Sequence, residues 1–228
     1  MRPALMIFDL DGTLIDSVAD LARAINAMLG ELGAQPLAEP EVRAMIGDGA
    51  AKLVARALAA RRCAHADPAL AQRAFARHYA SEPVRATVAY PGARAALELL
   101  REHAVTLAVC TNKPARLAEV ILEKLDLARY FARVIGGDSL PFLKPDPRVL
   151  RTLLRFFGVA PQDALMVGDS EVDAEAARAA AVPLVLMRHG YRRGPVEAIP
   201  CRAALDDFSQ LAAAAGVAAG WPKNTSVR

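Results

Sequence analysis

Asp9 and Asp11 stand at the end of a continuous apolar run, residues 4–8, and are followed by Gly12 and Thr13. Carboxylates two residues apart at a strand end can face the same cleft. One can attack phosphorus as a nucleophile, while the other protonates the leaving oxygen and then activates water. Gly12 permits a sharp change of direction after them. Such a pair also occurs as an ordinary acidic turn, so its meaning depends on what joins it. Three more stretches have the same setting. In Thr111-Asn112-Lys113-Pro114, Thr111 offers a hydroxyl, Asn112 can cap the helix that follows, and Pro114 suits that helix's first turn. A helix start presents free N–H groups to an anion. Lys144, ahead of Pro145, is a point charge for phosphate and can hold Asp9 in its charged form. Gly168-Asp169-Ser170-Glu171-Val172-Asp173 adds two acids whose hard oxygens suit Mg2+. Glu171 reads instead as an acid favoured by a helix dipole.

For these stretches to meet, the elements before them must lie side by side. Apolar runs at 4–8, 105–110, 134–135, 164–167 and 183–187, with a weaker one near 201–204, fit strands buried on both faces of a parallel sheet. Helical patterns at 91–103, 114–125, 147–157 and 171–181 alternate with them. The alternation predicts right-handed βαβ units and an α/β fold with a doubly wound, Rossmann-like parallel sheet. Ligands of such sheets bind at the carboxyl ends of the strands, where all four stretches fall. One connection is too long for a simple crossover. Between the first two strands lies a helical stripe of Leu14, Val18, Leu21, Ile25, Met28, Leu29 and Leu32, with further helices at 39–46, 50–61 and 68–81. The predicted division is a catalytic core of residues 1–15 and 85–228 and a small inserted helical unit at 16–84. The polar residues 221–228 are expected to fray.

Composition limits the partners. Hydrophobic residues form 54% of the 228, enough for a substantial core, and the net charge is only +3. The arginines are spread along helices, with no basic arm or aromatic-interleaved strip, so no nucleic acid partner is expected. Cys63, Cys110 and Cys201 lie far apart without metal or redox spacing. The opening apolar run is too short for a signal peptide or a membrane span. Together these features predict a soluble cytoplasmic protein, monomer or homodimer, with no membrane partner.

The set Asp9-Leu10-Asp11-Gly12-Thr13-Leu14, Thr111-Asn112-Lys113, Lys144-Pro145 and Gly168-Asp169-Ser170-Glu171-Val172-Asp173 resembles the haloacid dehalogenase superfamily over residues 6–208. The helical insertion looks like that superfamily's small α-helical cap. Stretches 46–50, 111–114, 134–138 and 189–191 are most similar to bacterial phosphoglycolate phosphatases, although that family often has Asn where this chain has Asp48. The resemblance implies a Mg2+-dependent phosphatase acting on a small phosphorylated metabolite. In it Asp9 would be nucleophile and metal ligand, and Asp11 the general acid and base with its backbone carbonyl on the metal. Thr111, Asn112 and Lys144 would hold the phosphoryl group. Asp169 would bind Mg2+, and Asp173 would support the metal directly or through water.

Asp11 argues against dehalogenation, which needs no protonated alkoxide. Phosphonate hydrolysis would need an amine from the insertion, where Lys52 is the only lysine. A sugar phosphomutase would have to retain its aspartyl-phosphate. A receiver domain shares the acids, hydroxyl and lysine but is about half as long. Among substrates, 2-phosphoglycolate needs a partner for its carboxylate. Gly47 and Asp48 in the loop 47–50, Arg43 and Lys52 are the candidates, each of which could equally be plain surface. N-acetylmuramic acid 6-phosphate and pyrophosphate are the alternatives.

Overall fold

The structure, a computed structural model, describes residues 2–217, so the expectation for 221–228 lies outside the described residues. Six strands form one parallel sheet in the order β5-β4-β1-β6-β7-β8. They are reached in chain order through β1 (Leu5–Phe8), a two-residue strand β2 (Ile15–Asp16), helices α1 (Val18–Glu31), α2 (Glu39–Arg43), α3 (Ala50–Ala60) and α4 (Pro68–Ser81), and a second short strand β3 (Val88–Ala89). Then come α5 (Ala93–Glu102), β4 (Thr106–Cys110), α6 (Ala115–Lys124), β5 (Arg133–Ile135), α7 (Arg148–Phe157), β6 (Ala164–Gly168), α8 (Glu171–Ala180), β7 (Leu184–Met187), β8 (Ala203–Leu205) and α9 (Leu211–Ala214). This is the predicted doubly wound α/β fold.

The continuous apolar runs are explained by burial on both faces. Met6 and Phe8 enter one core with Leu107, Val109, Leu165 and Val167, under α5, α6 and α9. Leu5 and Ile7 enter the other with Ala108, Met166 and Leu186, under α7 and α8. Alternate residues of one strand therefore serve opposite layers.

Between β2 and β3, α1 packs on α2 and α4, and α3 packs on α4. β2 and β3 form an antiparallel ribbon, Ile15 facing Ala89 and Asp16 facing Val88. Two-residue strands leave no readable period, so the sequence did not predict them. Leu14, which the stripe placed with α1, lies in a turn instead. Gly12 adopts φ +84°, and the amides of Leu14 and Ile15 both donate to the carbonyl of Leu10, so the helix starts only at Val18. The predicted helix 39–46 ends at Arg43, ahead of the positive-φ Gly47. Asp20, buried in α1, accepts from the amides of Arg85, Ala86 and Thr87 at 2.8–3.0 Å and from the Thr87 hydroxyl at 2.7 Å. These bonds outweigh burial and hold its carboxyl below the usual range. Among the described residues no helix is long and apolar enough to cross a membrane.

Candidate active site

Register alone brings the first and last acidic stretches together. β1 and β6 are neighbours with Phe8 level with Val167, and the Asp9 amide donates to the Val167 carbonyl at 2.9 Å. The chain leaves both strands at the same sheet edge, so Asp9 and Asp169 emerge side by side. The first turn of α8 adds Asp173, and one carboxyl oxygen from each of the three lies within 4.8 Å of the others. Lys144 Nζ sits among them, 2.6 Å from Asp173 Oδ1 and 2.9 Å from Asp9 Oδ1.

Each acid is held differently. Asp173 Oδ2 accepts from the amides of Asp169 and Ser170 and from the Ser170 hydroxyl, so its two oxygens together take four donors. Asp169 accepts from the Thr13 hydroxyl at 2.6 Å and the Tyr191 amide at 2.6 Å. Gly12 is required here for a second reason: a Cβ on it would lie 2.5 Å from Asp169 Oδ2. Asp9 Oδ1 is buried and has no hydrogen-bond partner beyond its ion pair with Lys144. Burial, with Asp173 adding to it, pushes Asp9 up to about 6 in spite of Lys144. Burial and then Asp173 and Asp9 push Asp169 well above the usual carboxylate range. Burial works against the charge on Lys144, but Asp173 and Asp9 outweigh it and raise the ammonium above its ordinary value. Three crowded carboxylates sharing one lysine, with an Asp9 oxygen that has no partner besides that lysine, fit a divalent cation with hard oxygen ligands.

Asp11 faces a different way. Its Oδ1 accepts from the Ser17 hydroxyl at 2.5 Å and lies 2.9 Å from Lys113 Nζ, so its side chain stands apart from the three-carboxylate group, in keeping with the expectation that only its backbone carbonyl would reach a metal. Lys113 Nζ also donates to the Tyr79 hydroxyl at 2.7 Å and stands 4.5 Å from the centre of that ring. Burial opposes its charge, and Asp11 and Tyr79 more than restore it. Asp9, Asp11, Thr111 and Lys113 form the floor of a cavity of about 360 Å3. Its remaining wall is mainly apolar and comes largely from the helical insertion, including Leu53 and Phe75, and from Leu117 of α6.

Several expected ligands have other roles. The Asn112 side chain does not cap α6, and its polar atoms are taken by backbone groups of two loops. It donates to the Lys144 carbonyl at 2.9 Å and the Gly47 carbonyl at 3.2 Å, and accepts from the Lys144 amide at 3.0 Å. It thereby fixes the lysine loop to the end of β4. The free amide at the start of α6, that of Ala115, is taken by Asp138 from the loop after β5. Asp48 pairs with Arg56, with Arg193 and, at 3.7 Å, with Lys52, which leaves it no cation for a substrate. Lys52 is 63% exposed and points to Asp48, away from the cavity. Arg43 pairs with Asp16 at 3.2 Å and lies over the Tyr191 ring, also off the cavity. Of the candidate carboxylate partners, the loop 47–50 lines the cavity through Gly47, Gly49 and Ala50, whereas Asp48, Arg43 and Lys52 do not.

A family model described as haloacid dehalogenase-like hydrolase matches residues 6–187. The chain belongs to that family. Among its relatives, the phosphoglycolate phosphatase of Rhodospirillum rubrum is 46% identical over 215 residues, covering 92% of this chain and 89% of the relative. That of Pseudomonas putida is 45% identical over 214 residues, covering 92% and 78%. A crystal structure described as a predicted phosphoglycolate phosphatase from Haemophilus somnus superposes with a TM-score of 0.88 at 32% identity, covering 92% of this chain and 97% of that one. This hydrolase is a phosphatase.

Four residues of the hydrolase's site carry no mark in the sequence. Lys113 stands inside a motif, but nothing in its neighbours shows that it is buried. Tyr79 is far from Lys113 in sequence and joins it only through the packing of α4. Ser17 binds Asp11 from a loop whose sequence carries no signature, and Tyr191, although it falls in the 189–191 stretch, shows nothing there of its amide contact with Asp169. Tyr191 also donates its hydroxyl to Asp16 Oδ1 at 2.5 Å and accepts from the Ser17 amide at 2.8 Å, tying the metal-side acid to the start of the insertion.

Proposed function

We propose that this phosphatase is a Mg2+-dependent phosphomonoesterase that works through an aspartyl-phosphate on Asp9, with 2-phosphoglycolate as substrate. The single observation that carries the reading is the meeting of Asp9, Asp169 and Asp173 around Lys144, the buried Asp9 Oδ1 having no partner besides that lysine. Mg2+ would be held by Asp9, Asp169 and the backbone carbonyl of Asp11, with Asp173 behind them or in contact, and would supply charge neutralisation for the phosphoryl oxygens. Lys144 keeps Asp9 oriented and adds positive charge beside the transferring group. An Asp9 carboxylate oxygen forms a bond to phosphorus in line with the ester oxygen, whose P–O bond breaks. Asp11 gives the departing alkoxide its proton. The same carboxylate then takes a proton from water as that water attacks the phosphorus of the acyl phosphate, freeing Asp9 and inorganic phosphate. The Thr111 hydroxyl, on the cavity floor, is placed to donate to a phosphoryl oxygen.

The names of the relatives from Rhodospirillum rubrum and Pseudomonas putida support 2-phosphoglycolate as the substrate. One observation favours a second reading: a cavity of about 360 Å3 has room for a leaving group far larger than glycolate, such as that of N-acetylmuramic acid 6-phosphate. Phosphate release from both compounds, with Mg2+ and with chelator, tests the proposal. Mg2+-dependent release that favours 2-phosphoglycolate and is abolished by Asp9→Asn is expected. Release that survives the Asp9→Asn change would falsify the nucleophile.

A further inference from the structure

We infer that Lys113 selects the leaving group, favouring phosphomonoesters that carry a carboxylate on the carbon next to the ester carbon–oxygen bond. This rests on the phosphomonoesterase reading above and names the feature of the substrate that the site recognises. Asp11 must come within hydrogen-bond reach of the ester oxygen to protonate it, and Lys113 Nζ is 2.9 Å from the Asp11 oxygen nearest to it. A leaving-group carboxylate two bonds from the ester oxygen therefore arrives beside the ammonium. The same group further along the leaving group would face Leu53, Phe75 and Leu117.

Among the described residues that line the cavity, the other positively charged one is Arg116, whose side chain is 79% exposed and turned to Glu119 at 3.8 Å. Arg43 and Lys52 are engaged elsewhere. Lys113 is 6% exposed, and a buried ammonium is tolerated only with close partners. Tyr79 supplies a neutral one, its hydroxyl being pushed up to about 12 chiefly by burial. Lys113 has three donor hydrogens, and Asp11 and Tyr79 account for two. The third is available to an incoming anion, in surroundings where a charge-assisted hydrogen bond is stronger than in water.

The test compares kcat/KM for 2-phosphoglycolate, 3-phosphooxypropanoate (one methylene longer) and ethyl phosphate (no carboxylate), in the wild type and in Lys113→Met. The wild type is expected to prefer 2-phosphoglycolate to ethyl phosphate by about 100-fold or more, since a site built around a polar partner rejects the analogue that lacks it. The longer acid is expected to fall near ethyl phosphate. In Lys113→Met the preference should shrink to within about 5-fold. Loss of the Asp11 contact lowers both rates, so only the ratio is read. An equal fall for all three substrates would assign Lys113 to Asp11 alone and overturn the inference, as would a wild-type ratio near one. Lys113→Gln, which keeps a donor for Tyr79, gives the same ratio test if the Met variant melts early. Absence of Mg2+-dependent hydrolysis of every substrate by the wild type would instead sink the phosphomonoesterase reading and take this inference with it.

Discussion

The floor and the walls of the cavity are built on opposite principles. The floor, with the acid cluster beside it, is charged and closely partnered: Lys144 and Lys113 each serve acids within 2.9 Å, and Asp169 and Asp173 are locked by hydroxyls and amides. The walls are side chains such as Leu53 and Phe75, which offer shape and no directed contacts. Directed groups fix where a reaction happens, and apolar surface sets how much molecule fits above it. Changes to the floor should therefore appear in kcat, and changes to the walls in KM and stability.

The sharpest break is Asp9→Asn. With Asp9 as the proposed nucleophile, its loss is expected to cost roughly 10⁴-fold or more in kcat. The melting temperature should hold or rise, because a carboxyl raised to about 6 is one whose charge is costly to bury. Phosphate release and thermal melting check the two halves.

Next in size is the response to Mg2+. In the metal-free protein Asp9 takes up a proton below about 6, while its ordinary value is 3.8. The folded state thus binds more protons between those values, and this carboxyl's contribution to stability falls as pH rises through that window. A cation needs the ionised form, so it must displace that proton at low pH. Melting curves should show Mg2+ stabilising the protein strongly at pH 7.5 and much less at pH 5. An increment independent of pH would separate the cation from Asp9 and Asp169.

A wall residue should behave otherwise. Leu53→Ala is expected to cost roughly 2 kcal/mol of stability through lost packing. It should raise KM more than it lowers kcat, as steady-state kinetics and denaturant unfolding would show. The smallest effect is predicted for Lys52→Ala, which removes an exposed side chain from a surface ion pair with Asp48. Kinetics within two-fold of wild type are expected, because such pairs contribute about 1 kcal/mol or less. A large loss would return Lys52 to the substrate.

The same contrast governs how much could be read from the sequence. Strand β1 announced itself because it is buried on both faces, and an uninterrupted apolar run of strand length that stops at Asp suits few elements besides a central parallel strand. Asp9, Asp169 and Asp173 converge because β1 and β6 pair in parallel; the βαβ rhythm predicts the parallel sheet, while the strand order that makes these two neighbours is seen only in the fold. Asn112 shows where local reasoning stopped. Its position suits a helix cap, yet its amide bridges two loops while Asp138 binds the free Ala115 amide from a distance. Lys113 and Tyr79 meet only because α4 lies over the sheet edge, and no local pattern encodes that contact. The β2–β3 ribbon is too short to carry a period, although it decides where the insertion begins and ends.

That ribbon has an architectural consequence. Asp16 faces Val88 across a single pair of extended segments, so the polypeptide departs from the sheet and rejoins it at one point. The intervening stretch is a cassette whose length does not enter the spacing of the six strands. Lengthening, trimming or exchanging it leaves the pairing of the six strands as it is, while the contacts it lends the groups below, such as Tyr79 on Lys113 and Ser17 on Asp11, go with it.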